Sequence, residues 1–86
     1  MTVQYHKNFI KQFKKLPIKV REQFQGRLLL FLTDKHHPLL KVHTLKGEKH
    51  PYESMNVNAD YRALLLTEDN ETTFYEIGTH SSLYKK

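Results

Sequence analysis

The apolar residues of this chain change their spacing once, and that change limits the folds open to it. Phe9, Ile10, Phe13 and Leu16 fall on one face of a helix at i, i+1, i+4 and i+7, with Lys7, Lys11 and Lys14 on the opposite face. Lys14 and Lys15 would sit in its last turn, where positive charge suits the helix dipole. Pro17 cannot continue that helix but fits the first turn of another, so Leu16-Pro17 reads as the corner of a helical hairpin. The spacing predicts a second helix from Ile18 to Leu32, with Val20, Phe24, Leu28 and Phe31 as its buried stripe and Leu29, Leu30 and Leu32 widening the apolar surface toward a sheet. Gly26 in its middle costs about 1 kcal/mol relative to Ala and reads as a mark of close helix packing.

From residue 52 onward the period is two. Met55 and Val57 would face the helices, leaving Tyr52, Ser54 and Asn56 on the open face. Residues 58–60 are turn-like, 61–66 are strand-like, 67–71 form a second polar turn, and 72–77 read as another strand, which together make an antiparallel meander. Thr2 to Tyr5 is a short strand-like run. The expected fold is therefore a two-layer α+β domain in which an N-terminal strand and a helical hairpin pack on one face of a mainly antiparallel sheet of about four strands. Core candidates are Phe9, Ile10, Phe13, Phe24, Leu28, Phe31, Met55, Val57 and Leu64. If Arg62 opens to solvent, Leu64 and Leu66 share its face and Ala63 and Leu65 fill the core.

Eighty-six residues fit one domain, 1–86, which excludes large multidomain enzymes and deep cofactor clefts. The five Phe and five Tyr supply most of the bulk such a small core needs. Absence of cysteine excludes a disulfide framework, a thiolate metal site and a cysteine nucleophile, and points to the cytosol. No unbroken apolar run resembles a signal peptide or reaches membrane-spanning length, so no membrane partner is expected. Charge is lopsided: residues 1–50 hold 11 Lys and Arg against 3 acidic residues, a surplus of +8, whereas 51–86 hold 3 against 6, or −3. A basic half suggests an anionic partner, either nucleic acid or an acidic protein segment, or simply a solvated basic surface. Six histidines stand at 6, 36, 37, 43, 50 and 80, without an HExxH or HxH pair, so neither a metal nor another cofactor is expected.

Five motifs in order resemble the RelE/YafQ-type toxins of bacterial and archaeal type II toxin–antitoxin modules, ribosome-dependent endoribonucleases of the RelE/ParE superfamily. They are Phe9 with Lys14-Lys15-Leu16-Pro17, then His37-Pro38-Leu39, His43-x-Leu45-Lys46-Gly47, Asp60-Tyr61-Arg62-Ala63, and Gly78-Thr79-His80-x-x-Leu83-Tyr84. The resemblance spans nearly the whole chain and implies the superfamily's two-layer fold. It also implies an active site at His43, Asp60, His80 and Tyr84, with Asn56 standing where the YafQ-like branch has a histidine. Arg62 matches the arginine that RelE-like relatives use to stabilise phosphate. Implied partners are a cognate antitoxin, in a hetero-oligomer, and the ribosome with its mRNA. Two other classes stay open: a ParE-like toxin that binds DNA gyrase, and a module of this fold that only binds its antitoxin.

The chemistry stands independently of the family. Metal-free RNA cleavage needs a proton removed from the 2′-hydroxyl, a stabilised pentavalent phosphate, and a proton given to the departing 5′-oxygen. Histidine suits either proton transfer, Asp60 could orient a histidine, and Arg62 offers fixed donors to phosphate. Tyr84 could stack on a base, and Lys41, Lys46 and Lys49 would follow the RNA backbone. Structural roles are equally open to these residues. His43 could lie on an exposed strand, Asp60 could shape the turn, Arg62 could pair with Glu76 or Glu53, and Tyr84 could pack on the sheet.

Overall fold

The computed structural model describes residues 1–84. Strand β1 (Thr2–Tyr5) leads into helices α1 (Lys7–Lys14) and α2 (Ile18–Thr33). A 3-10 turn (Pro38–Leu40), the two-residue strand β2 (His43–Thr44) and a second 3-10 turn (Gly47–Lys49) follow. Strands β3 (Glu53–Asn56), β4 (Tyr61–Glu68) and β5 (Glu71–Thr79) then lead to a short helix α3 (His80–Tyr84). The sheet order is β1-β5-β4-β3-β2, with β1 parallel to β5 and every other pair antiparallel. The α+β class, the helical hairpin and the meander match the periodicity. The sheet has five strands instead of about four because β2, too short for any period, adds an edge, and α3 was not anticipated.

Local chemistry fixes the element ends. The His6 Nδ1 accepts the Asn8 N–H at 3.1 Å and caps α1. Pro17 begins the next helix, its carbonyl accepting from Val20 and Arg21. Between β4 and β5, Asp69 and Asn70 both have positive φ, the backbone that a two-residue hairpin requires and that Asp and Asn tolerate better than most side chains. Pairing of β1 with β5 stops at Phe74, and beyond it Gln12 of α1 accepts the Ile77 N–H through Oε1 at 2.8 Å, so the uncovered strand edge is closed by a helix side chain.

The core lies between the helices and one face of the sheet. Phe74 of β5 meets Phe24 of α2 edge-on at 5.3 Å between ring centroids, Phe9 of α1 at 5.8 Å and Phe31 of α2 at 6.1 Å. Val20, Leu28, Leu40, Met55, Val57, Ala63, Leu65 and Ile77 complete it. The register of β5 slips once: Leu64 pairs with Glu76 but Leu65 pairs with Phe74, leaving Tyr75 as the extra residue of a β-bulge. Phe74 and Ile77, three apart, can then both face the helices, while Tyr75 and Glu76 both line the open side.

Four expectations need correction. Leu64 is buried, but on the open face, beside Tyr52 and Tyr75, because Ala63 and Leu65 take the helix side. Ile10 is 44% exposed, since it lies about 100° around the helix from Phe9. Leu29 and Leu32 are likewise exposed, because no element among the described residues covers the outer side of α2. A Cβ at Gly26 would meet nothing within 4 Å, so this glycine marks no close packing. Gly26→Ala should therefore raise stability by about 1 kcal/mol, read as a rise of about 4–8 °C in Tm.

Candidate active site

On the face away from the helices, β2, β3, β4 and α3 border a groove of about 630 Å³ lined by Lys41, His43, Leu45, Ser54, Asn56, Arg62, His80 and Tyr84. Strand alternation explains the convergence. Met55 and Ala63 pair across β3 and β4 toward the core, so their neighbours Ser54, Asn56 and Arg62 point the other way, and Asn56 stands opposite Arg62. His43 is in register with Ser54. The lining holds Lys41, Arg62 and two histidines but no carboxylate, which suits an anionic ligand.

Lys41 ends the first 3-10 turn in the left-handed region, at φ 47°, a conformation that costs a lysine energy and turns the chain sharply before β2. Its carbonyl oxygen lies 2.8 Å from His43 Nδ1. A carbonyl can only accept, so the neutral ring carries its proton on Nδ1 and keeps the lone pair on Nε2.

Arg62 is anchored from behind. Its Nη1 donates to the carbonyls of Asn58, Ala59 and Tyr61 at 2.9, 3.2 and 3.2 Å, so the guanidinium is held by the turn at residues 58–60. That turn is held in its own right: Asn58 Oδ1 accepts the N–H groups of Asp60 and Tyr61, and Asn58 Nδ2 donates to Gln23 of α2 at 2.8 Å. Arg62 pairs with neither Glu53 nor Glu76, whose partners are Lys35 at 3.2 Å and Lys49 at 3.8 Å.

Helix α3 carries His80 and Tyr84, one turn apart, with ring centroids 4.6 Å from each other in an edge-on contact. Its cap is Thr79, whose Oγ1 accepts the Ser82 N–H at 3.1 Å, and its anchor is the buried Leu83. A Cβ at Gly78 would come within 2.6 Å of Ser82 Oγ, so a larger residue here would force the Ser82 hydroxyl off the Thr79 carbonyl to which it donates. The His80 N–H donates to the Asp60 carbonyl at 3.1 Å, tying the helix to the turn that holds Arg62.

Of the nine residues singled out from the sequence, His43, Arg62, His80, Tyr84, Lys41 and Asn56 line this groove. Asp60, Lys46 and Lys49 do not. Asp60 is exposed in the turn and contributes its backbone carbonyl, Lys46 is exposed, and Lys49 is engaged by Glu76. Sequence reasoning missed Ser54 and Leu45 as groove residues; the alternation that put Ser54 on the face of Asn56 was the signal available for the first. Among the described residues no three His, Asp or Glu side chains gather as metal ligands. Thr79→Ala removes the cap and should cost about 1 kcal/mol in thermal unfolding, with NMR shifts concentrated at His80 and Tyr84.

No family model matches the sequence, and neither does any curated protein. Solved structures do match. YafQ from Escherichia coli BL21(DE3) superposes with a TM-score of 0.81 at 19% identity, covering 95% of this chain and 96% of its own. A copper-bound mutant toxin from Helicobacter pylori gives 0.74 at 24% identity, over 98% of this chain and 99% of that one. RelE in the RelB–RelE antitoxin–toxin complex from Methanococcus jannaschii gives 0.74 at 20% identity, over 94% of each chain. At these identities the likeness is one of fold: the chain has the fold of the YafQ and RelE toxins, with YafQ superposing at the higher TM-score of the two.

Proposed function

We propose that this chain is the toxin of a type II toxin–antitoxin pair and acts as a ribosome-dependent endoribonuclease on translated mRNA. The observation that carries the reading is the carboxylate-free groove in which two histidines and an anchored arginine meet. A protein that only gripped another protein would have no need of proton-transfer groups there, which sets the reading apart from gyrase binding.

The parts divide the reaction among themselves. His43, with Nδ1 held by the Lys41 carbonyl, presents Nε2 as the base that takes the proton from the 2′-hydroxyl. The hydroxyl oxygen attacks the adjacent phosphorus. Arg62, pinned through Nη1, offers its remaining N–H groups to the charge that builds on the phosphate, and needs little reorganisation to do so. His80, in its protonated form, gives a proton to the 5′-oxygen as the P–O bond breaks, leaving a 2′,3′-cyclic phosphate. Tyr84 orients the His80 ring and offers a face to a base. Asn56, opposite Arg62, cannot carry a proton and serves as a hydrogen-bonding group to the RNA.

An antitoxin partner is part of the proposal. The RelE neighbour is held in a complex with its antitoxin RelB. The basic first half of this chain suits a partner segment with acidic residues among apolar anchors, which competes with RNA for the groove. No helix among the described residues is long and apolar enough to cross a membrane.

Expression of the chain in cells, with mapping of mRNA 5′ ends, tests the activity. Codon-phased cuts are the expected result, and DNA breaks with intact mRNA would assign the fold to gyrase poisoning. In reconstituted ribosomes His80→Ala should slow cleavage by about 10²–10⁴-fold and Arg62→Ala by about 10²–10³-fold, both variants remaining folded by circular dichroism. Parent-like rates in both would refute the site. Asn56→His adds an acid–base group opposite Arg62 and should shift the pH profile of cleavage; an unchanged profile and rate would show that position 56 lies outside the proton path.

A further inference from the structure

Ser54 and Thr72 are the polar residues buried most completely among the described residues, at 1% and 0% exposure, and they are treated differently by the fold. The Thr72 hydroxyl is 2.7 Å from that of Thr67 and 3.4 Å from the Met1 sulfur. The Ser54 Oγ has no partner; the other such atom, Arg21 Nε, belongs to a half-buried side chain on α2, away from the groove. A hydroxyl shut away without a hydrogen bond destabilises the chain that carries it, and an alanine of nearly the same shape would avoid that cost.

Position explains what the hydroxyl is for. Ser54 is in the middle of β3, in register with His43 on one side and with Leu64 on the other, two residues before Asn56, which faces Arg62. It lines the groove floor between the histidine on β2 and the arginine on β4. Its small side chain also leaves the depth that the groove has at this point. An oxygen-rich anion drawn in by Lys41 and Arg62 would bring to this floor the acceptor that the protein itself does not provide.

We infer that Ser54 is a substrate-contacting residue, whose hydroxyl turns about χ1 from its closed position toward the groove and donates to a non-bridging phosphate oxygen of the RNA seated between His43 and Arg62. The inference rests on the nucleic-acid reading of the groove and adds to it a residue that neither motif nor charge had marked. Serine here serves the ligand at the expense of the free fold. Loss of the hydroxyl therefore weakens binding without weakening the protein, the opposite of what a structural hydroxyl does.

The test is an NMR titration of the labelled protein with a short all-2′-O-methyl oligoribonucleotide, whose blocked hydroxyls prevent cleavage, alongside thermal melts of the unliganded forms. Ser54→Ala should raise Kd about tenfold, as expected for one hydrogen bond to a charged group, with a Tm equal to or above that of the parent. Equal affinities would overturn the inference, as would a lowered Tm, which would reveal a structural partner for the hydroxyl. Absence of any shift at Ser54 in the parent on adding the oligonucleotide would also overturn it. A parent that binds the oligonucleotide through Ser54 but cuts no mRNA on ribosomes would remove the nuclease reading and leave the contact standing.

Discussion

The bulge at Tyr75 is the constraint on which the two faces of this domain depend. A regular β5 would send Phe74 and Ile77 to opposite sides of the sheet. One inserted residue brings both to the helices, where Phe74 contacts aromatic rings from α1 and α2. The same insertion resets the phase of everything after it, including Gly78 and Thr79, and so determines where α3 leaves the sheet. The core and the position of His80 are thus two results of one backbone irregularity. Bulges next to functional sites commonly re-aim side chains in this way.

In the groove, backbone groups rather than other charges hold the His43 and Arg62 side chains and the main chain of His80. His43 is held by the Lys41 carbonyl, Arg62 by three carbonyls of one turn, and His80 through its own N–H on Asp60. The turn at 58–60 is common to the last two, and Gln23 and Arg27 of α2 tie it and the adjoining Val57 to the helical layer. A carboxylate anchor would compete with a phosphate for the same cation. Neutral carbonyl anchors orient the guanidinium and leave its charge uncompensated for a ligand.

The stripes of α1 and α2 and the alternation of β3 were readable because long, one-sided burial imposes a period on the sequence. What was not readable lacked a period. Two-residue β2 and five-residue α3 are too short to show one, and the bulge breaks the one that β5 has. Leu64 illustrates the limit: alternation pairs it with Arg62 on the open face, yet a second cluster with Tyr52 and Tyr75 buries it there, so hydrophobicity alone could not assign its side. Of the nine residues singled out from motif positions and from charge, six line the groove, because motif spacing along the chain survives such irregularities better than a period does. Asp60, Lys46 and Lys49 lie outside the groove lining, since a place along the chain or a charge does not give the direction of a side chain. Alternation placed Ser54 on the face of Asn56, but its hydroxyl stands out only when its lack of a partner is seen.

The parallel pairing of β1 with β5 has a further consequence, for the order of assembly. Gln4 bonds to Glu71 across 67 positions, and Val3 lies against Thr72, so the first strand has no place in the sheet until the fifth exists. Contacts this distant in sequence close late, because the loop entropy must be overcome before they contribute. Phe9 and Phe24 can meet early, but their common partner Phe74 arrives with β5, and only then is α3 delivered beside Arg62. As the chain emerges from a ribosome, its histidines are therefore made one by one while the groove that unites them stays open on one side. Assembly itself acts as a delay, separating synthesis of the groove residues from the moment they stand together.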